Sequence, residues 1–125
     1  MTNPVVEMGL RNITDGLTSE IPEIREIRVF GSYNNDRWDR NGSDVDVFVY
    51  VDDDRVRPYT EQLVRRMNLG YKYHIFVYDS SSIEGLRTYR ERGDMIKAMK
   101  NGRLLYKRNQ VRNFLRNLIS SLFDT

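Results

Sequence analysis

The sequence contains no cysteine, one histidine and no long hydrophobic run among its 125 residues. Without cysteine, disulfide frameworks, thiolate zinc sites and cysteine nucleophiles are all excluded. The single histidine, His74, excludes the zinc motif in which one helix carries two histidines. The longest apolar run, residues 47–51, is far shorter than a membrane span, and the N-terminus lacks the basic and apolar pattern of a signal peptide. We therefore expect a soluble, cytoplasmic protein that does not enter a membrane.

Charge is unevenly distributed along the chain, although 20 basic and 18 acidic residues give a formal net charge of only +2. Residues 1–96 carry 13 basic and 17 acidic side chains, whereas residues 97–125 carry 7 basic and 1 acidic. The basic residues of the second part are Lys97, Lys100, Arg103, Lys107, Arg108, Arg112 and Arg116. This asymmetry indicates either a positive surface for phosphates, RNA or an acidic partner, or a solvated helix face.

Apolar periodicity predicts an α+β domain in the element order α-β-β-α-β-α-(β)-α, with helices packed on a small mixed sheet. Helices are predicted over residues 4–19, 59–67, 80–90 and 109–123, the third capped by Ser80 or Ser81, with a helical turn over 94–100. Val5, Met8, Ile13 and Leu17 are expected on the apolar face of the first helix. Strands are predicted up to residue 30 and over residues 44–51, 71–78 and 103–107. A polar loop is expected over residues 33–43.

The most informative segment places Gly31 and Ser32 directly after a strand, and Asp44 and Asp46 at the start of the next. Because side chains alternate across a strand, the two aspartates point to the same side, about 6.5–7 Å apart along it. Two such carboxylates repel each other unless a cation lies between them, and hard oxygen ligands suit Mg²⁺. Gly31 allows the backbone to approach an anion, and Ser32 adds a hydroxyl donor.

This combination resembles the signature of the polymerase-β-type nucleotidyltransferase superfamily, in Phe30-Gly31-Ser32 and in Ser43-Asp44-Val45-Asp46-Val47. The sequence is most similar to minimal nucleotidyltransferase domains, and the likeness extends to the strand near residues 71–78 and the segment 96–106. The resemblance implies a minimal nucleotidyltransferase-like domain over residues 1–108. The amphipathic helix over 109–125 would then be an addition, part of the same domain or an interface element.

The resemblance also implies an activity, namely transfer of a nucleoside monophosphate from ATP or another NTP to a hydroxyl acceptor. Gly31 and Ser32 would hold the triphosphate, while Asp44 and Asp46 would bind Mg²⁺, with Mn²⁺ as an alternative. Arg37 and Arg40 in the intervening loop would either reach phosphates or remain solvated charges. Trp38 in the same loop either anchors the loop on the core or stacks on a base.

One feature of the superfamily is missing, because its members place a third carboxylate on the later strand, where this chain has His74. Along an extended strand, Asp79 lies about 16 Å from His74, and Asp52 lies about 26 Å from Asp44. Neither residue therefore replaces the missing carboxylate. His74 is open to three interpretations: a general base, a ligand for a softer metal, or a structural histidine in a site without catalysis.

Small size suggests that acceptor recognition comes from elsewhere. The resemblance implies a separate helical, HEPN-like partner protein or an RNA acceptor, as in toxin–antitoxin pairs where one component AMPylates the other. The C-terminal helix, with Arg112 and Arg116, would mediate a homodimer or partner contact, or complete the core. Two alternatives remain open, a catalytically impaired member that binds nucleotide or a partner, and an interaction module that binds RNA or an acidic protein.

Overall fold

The computed structural model of the chain describes residues 2–40, 42–109, 118–119 and 121–122. Its elements are, in chain order, α1 Pro4–Glu20, β1 Ile24–Phe30, α2 Gly31–Asn34, β2 Val45–Val51, a 3-10 turn Asp54–Val56, α3 Arg57–Arg65, β3 Tyr73–Tyr78, α4 Ser80–Glu84, α5 Tyr89–Asn101 and β4 Arg103–Lys107. The strands form one mixed sheet in the order β3-β2-β1-β4. β2 pairs antiparallel with β1 and parallel with β3, and β4 pairs antiparallel with β1. The predicted α+β architecture is confirmed.

Helix α1 begins as its sequence predicts, with Pro4 in the first turn and the Asn3 side chain accepting bonds from the N–H groups of Val5 and Val6. The predicted apolar face was partly wrong, because Val5 and Met8 are exposed. The buried stripe instead consists of Val6, Leu10, Ile13 and Leu17. Their spacing of three or four residues places them on one side of the helix, against the sheet.

Both faces of the central strands are covered by helices. The alternate residues Val45, Val47, Val49 and Val51 of β2 lie in the core cluster that also contains α1 and α3 residues. Phe48 faces the other way and lies in a second cluster with Ile83 of α4 and with Met95 and Ala98 of α5. Since Asp46 is two residues from Phe48, its side chain lies on the same face of the sheet as α5.

The segment after β3 differs from its sequence prediction, which placed one helix over residues 80–90 capped by Ser80 or Ser81. Asp79 is the cap instead: its side chain accepts a 2.7 Å bond from the N–H of Ser82. The first helix already ends at Glu84, with Gly85 as its C-terminal cap, and a second cap, Thr88, begins α5. The N–H of Asp79 donates a 2.8 Å bond to the Ser82 hydroxyl in return, which completes a capping box.

Strand β4 lies at one edge of the sheet, as predicted, and it brings part of the basic segment against acidic residues from the first part of the chain. Arg103 lies 2.8 Å from the Glu7 carboxylate, and Arg108 lies 2.6 Å from that of Asp52. The charge asymmetry in the sequence is therefore partly neutralised in space.

The predicted C-terminal helix lies mostly outside the described residues, as do Arg112 and Arg116. Its described members Leu118, Ile119 and Leu122 are exposed. Across the described residues, none of the helices combines the length and apolar character needed to cross a membrane.

Candidate active site

The chain turns sharply where β1 ends, and Gly31 makes that turn. Its φ of +74° lies in the left-handed region, which favours glycine. A Cβ atom placed on Gly31 would lie 2.5 Å from Oδ2 of Asp46. The backbone conformation therefore requires glycine, and a Cβ atom here would also displace the Asp46 carboxylate. The turn continues into α2, so that residues 33 and 34 are helical and the predicted loop begins later than expected.

Asp46 lies in the middle of the sheet, between the ends of two neighbouring strands. The register pairs it with Phe30 of β1 on one side and with His74 of β3 on the other. The sheet thus brings Gly31, Asp46 and His74 together from three separate segments. Sequence analysis had named all three, but it could not give the register that makes them neighbours.

The electrostatic environment of Asp46 disfavours its ionised form. Partial burial raises the pKa of its carboxyl group above the usual value. Opposing this, His74 lowers the pKa, while the negative charge of nearby Asp44 raises it further. Within the described parts of the chain, no side-chain hydrogen bond or ion pair engages either Asp44 or Asp46.

This arrangement fits a hard divalent cation. Two carboxylates that interact electrostatically, and that no described cationic side chain neutralises, are suitable ligands for Mg²⁺ or Mn²⁺. A bound cation would reverse the effect of burial and of Asp44 on the pKa of Asp46. The donor set has two carboxylates and one imidazole rather than three carboxylates.

His74 is exposed and its ring lies 4.0 Å from that of Phe76, centroid to centroid. The two acids considered as replacements for a third carboxylate are engaged elsewhere. Asp52 accepts two bonds from Arg108, at 2.6 and 3.1 Å, and Asp79 caps α4. The residue of β3 that pairs with Asp46 of β2 is thus His74.

Ser32 follows Gly31 in α2, and its carbonyl accepts a 2.9 Å bond from the N–H of Arg37. Among described residues, its hydroxyl takes part in no hydrogen bond, so that it is available to a ligand. The Arg37 and Arg40 side chains are exposed and form no ion pair with the described part of the molecule. Arg40 and Asp44 border a small surface cavity of about 290 Å³.

The loop before Asp44 is held by aromatic residues. Trp38 packs edge-on against Tyr33 and Tyr71, with ring centroids 5.3 and 4.9 Å apart. Its indole Nε1–H donates a 3.0 Å bond to the carbonyl of Ser43, and the Tyr71 hydroxyl lies within donating distance of the same oxygen, at 2.9 Å, and of the Arg40 carbonyl, at 2.7 Å. Of the two predicted roles of Trp38, the structure shows the anchor. Because Ser43 precedes Asp44, both bonds fix the start of β2.

A cavity beside this site has a volume of about 680 Å³, and Gly31 and Asp46 are among its lining residues. Phe30, Phe76 and Tyr78 of the sheet form one wall, and residues of α5 form the other. Asp44, Ser32 and His74 are not among its lining residues. The contribution of α5 to this cavity was not predicted, because an amphipathic pattern alone does not reveal which strands a helix covers.

A separate group of carboxylates lies at the opposite end of the sheet. Ligand oxygens of Asp53, Asp54 and Asp79 lie within 4.8 Å of one another. However, Asp53 is paired with Arg55 at 2.7 Å and Asp79 caps α4, so that these groups already have partners. This cluster is distinct from the predicted Asp44–Asp46 pair.

The family assignment rests on the whole sequence pattern. The family model described as a nucleotidyltransferase domain matches residues 10–115, which include every site residue named above. The chain belongs to this family. The match covers most of this nucleotidyltransferase domain and continues past residue 108, where the resemblance had placed a boundary. No curated protein matches the chain.

Two solved structures share the fold of this nucleotidyltransferase domain. A protein assigned as a nucleotidyltransferase of Sulfolobus solfataricus is 18% identical with a TM-score of 0.52, and the match covers 88% of this chain and 93% of that one. A chain of a toxin–antitoxin complex with AMP-PNP is 20% identical with a TM-score of 0.55, covering 91% and 86%. At these identities the likeness concerns the fold.

Proposed function

We propose that this domain transfers AMP from ATP to a hydroxyl group on a protein or RNA partner, in a metal-dependent reaction. The observation that supports the proposal best is the convergence of Gly31 and Asp46, with Asp44 close enough to influence the pKa of Asp46. A close backbone approach beside two carboxylates that form no ion pair among the described residues suits a metal-bound triphosphate.

Each residue has a defined role in the proposed reaction. Gly31 allows the backbone to approach a phosphate, and the Ser32 hydroxyl, which has no hydrogen-bond partner among the described residues, donates to a phosphate oxygen. Asp44 and Asp46 would hold Mg²⁺ or Mn²⁺, which when bound neutralises charge on the attacking and leaving oxygens. The acceptor oxygen attacks the α-phosphorus, the bond to the bridging oxygen breaks and pyrophosphate leaves. His74 takes the proton from the acceptor hydroxyl.

The choice of ATP and of a protein acceptor draws on the structural neighbour from a toxin–antitoxin complex with AMP-PNP. The same neighbour favours a separate protein partner for acceptor recognition, such as a helical HEPN-like component. We infer an antitoxin-type role on this basis.

The experiment uses ATP labelled on the α-phosphate, with Mg²⁺ or Mn²⁺, and measures label on the chain, on a candidate partner or on RNA. The wild type should transfer label, whereas the Asp44→Asn, Asp46→Asn double variant should not. The matched control is Asp15→Asn with Glu84→Gln, which removes two exposed acids far from Gly31. Equal transfer by the site variant and the control would refute the assignment of the two aspartates.

A second candidate function is supported by the position of His74. Because an imidazole pairs with Asp46 where the superfamily carries a third carboxylate, the domain would bind nucleotide without turnover. ATP would then raise the melting temperature, through preferential binding to the folded state, while no pyrophosphate is released. Pyrophosphate release above the background of the double variant would exclude this alternative.

A further inference from the structure

We propose that the cavity between β3 and α5 is the binding pocket for the base of the nucleotide, with a purine as the preferred base. The inference rests on the proposed function, since it assumes that the triphosphate lies at Gly31 and Asp46. It adds a subsite formed by α5, which the sequence motif does not include.

The direction of the cavity follows from the strands. Asp46 pairs with His74 at the start of β3, and Tyr78 lies four residues further along the same strand. That separation corresponds to about 13 Å. The aromatic wall of Phe76 and Tyr78 therefore extends from the phosphate end of the site toward the far end of the sheet.

Helix α5 runs back along the same cavity in the opposite direction. Its last residues lie at the phosphate end, because the carbonyl of Asn101 accepts a bond from the Asn34 side chain of α2 and Gly102 lies against Val29. Glu91 and Asp94, in the first half of α5, also line the cavity. The rise of a helix places Glu91 about 15 Å from Asn101 along the axis.

The two ends of the cavity thus have different chemistry. Glu91 and Asp94 repel phosphate groups, but their carboxylates accept hydrogen bonds from the amino group of a base. Between the ends, Phe76 and Tyr78 face Met95 and Ala98, and the latter two are 6% and 2% exposed. Lys97, which lies between Asp94 and Asn101 on α5, also lines the cavity and adds a positive charge on the side of the phosphate end. An aromatic, uncharged group with amino or imino donors on its edge matches this lining.

Size supports a base rather than a smaller group. A volume of about 680 Å³ lies within the range of about 300–1,000 Å³ usual for small-ligand pockets. Stacking on an aromatic side chain is stronger for a larger π surface, which favours a purine.

The test compares the affinity of ATP with that of inorganic tripolyphosphate, both with Mg²⁺, by calorimetry on the full chain. The wild type should bind ATP about 5- to 150-fold more tightly than tripolyphosphate, the range expected for one stacked base. ATP and GTP should bind more tightly than CTP and UTP. Equal affinities of ATP and tripolyphosphate, or binding of neither, would overturn the proposal.

Two variants test whether the cavity residues cause the preference for ATP. Ala98→Leu places a larger side chain in the cavity and should lower the affinity for ATP toward that for tripolyphosphate. The affinity for tripolyphosphate itself should stay unchanged. Asp94→Asn, on the exposed surface of α5, does not depend on core packing and should change the ratio of ATP to GTP affinity. Arg90→Gln, an exposed α5 residue outside the cavity lining, is the control and should leave the ratios unchanged. Unchanged ratios in both cavity variants would refute the location.

Failure of this inference can be distinguished from failure of the proposed function. If label transfer occurs while Ala98→Leu and Asp94→Asn leave all affinity ratios unchanged, the reaction stands and the base pocket lies elsewhere. If ATP is preferred through the α5 residues while no label is transferred, the pocket stands and transfer is refuted.

Discussion

Gly31 and Asp46 lie so close together that a single methyl group on the glycine would contact the carboxylate, with a Cβ to Oδ2 distance of 2.5 Å. The end of β1 and the start of β2 are thereby joined at one point of the sheet. Any ligand that uses the backbone at Gly31 also meets the charge of Asp46.

Gly31→Ala should destabilise the protein and abolish nucleotide binding. The positive φ and the contact with Asp46 together correspond to about 1–3 kcal/mol of backbone and steric strain. Gly93→Ala is the matched control, because Gly93 lies inside α5 with no atom near its Cβ position. That control should instead stabilise by about 0.5–1 kcal/mol. Denaturant unfolding measures both, and equal effects would contradict the prediction.

Asp46→Asn should stabilise the protein near neutral pH but not in acid. Burial raises the pKa of Asp46 in the folded state, so that the folded protein holds its proton to a higher pH than the unfolded chain. Stability therefore falls as pH rises from the ordinary pKa of an aspartate, 3.8, through the raised pKa of Asp46. Asp46→Asn has no ionisable group at this position, so its stability does not fall for this reason as the pH rises.

Unfolding free energies across a pH series, with Asp15→Asn as the control for loss of an exposed charge, measure the effect. Mg²⁺ should stabilise the wild type more than Asp46→Asn at neutral pH, since binding to the folded state alone adds stability. Parallel curves for the wild type and Asp46→Asn would show that burial of Asp46 does not disfavour its charge.

Tyr71→Phe and Trp38→Phe should each weaken the loop before Asp44. Each removes a hydrogen-bond donor from the Ser43 carbonyl, with an expected cost of about 0.5–1.5 kcal/mol, and Trp38→Phe should cost more because it also reduces the ring contacts with Tyr33 and Tyr71. The Ser43 carbonyl keeps one donor in each single variant and loses both in the double variant, which should therefore cost more than the sum of the two. Tyr59→Phe, which loses only a 3.4 Å surface contact to Glu20, should change stability by less than about 0.5 kcal/mol. If Tyr71→Phe and Trp38→Phe change stability by no more than Tyr59→Phe and their effects simply add, these hydrogen bonds do not hold the loop.

His74→Asp separates the two candidate functions. If His74 acts as the general base, removing it as His74→Ala should lower AMP transfer by about 10²–10⁴-fold. If the site is impaired, His74→Asp should raise Mg²⁺-dependent transfer above that of the wild type by adding a third carboxylate beside Asp46. ATP affinity, measured in parallel, distinguishes a change in catalysis from a change in binding.

Local patterns in the sequence predicted much of the fold. The branched and aromatic residues of β2 favour a strand in almost any context, and Asn3-Pro4 favours a helix start. The cap of α4 could not be predicted, because Asp79, Ser80 and Ser81 are all good caps and their geometry in the folded chain decides between them. Tertiary contacts similarly chose Val6 and Leu10 over Val5 and Met8 as the buried stripe.

The sequence by itself determined which chemistry was available: glycine and serine after one strand, two aspartates at the start of the next, and a histidine in place of a third acid. These features depend on residue type and on spacing within short segments. Only the tertiary structure decided which groups meet. The strand register pairs Asp46 with His74, α5 closes a cavity over the sheet, and Glu7 and Asp52 neutralise Arg103 and Arg108. These contacts join residues far apart in the chain, and their geometry arises from packing the whole core.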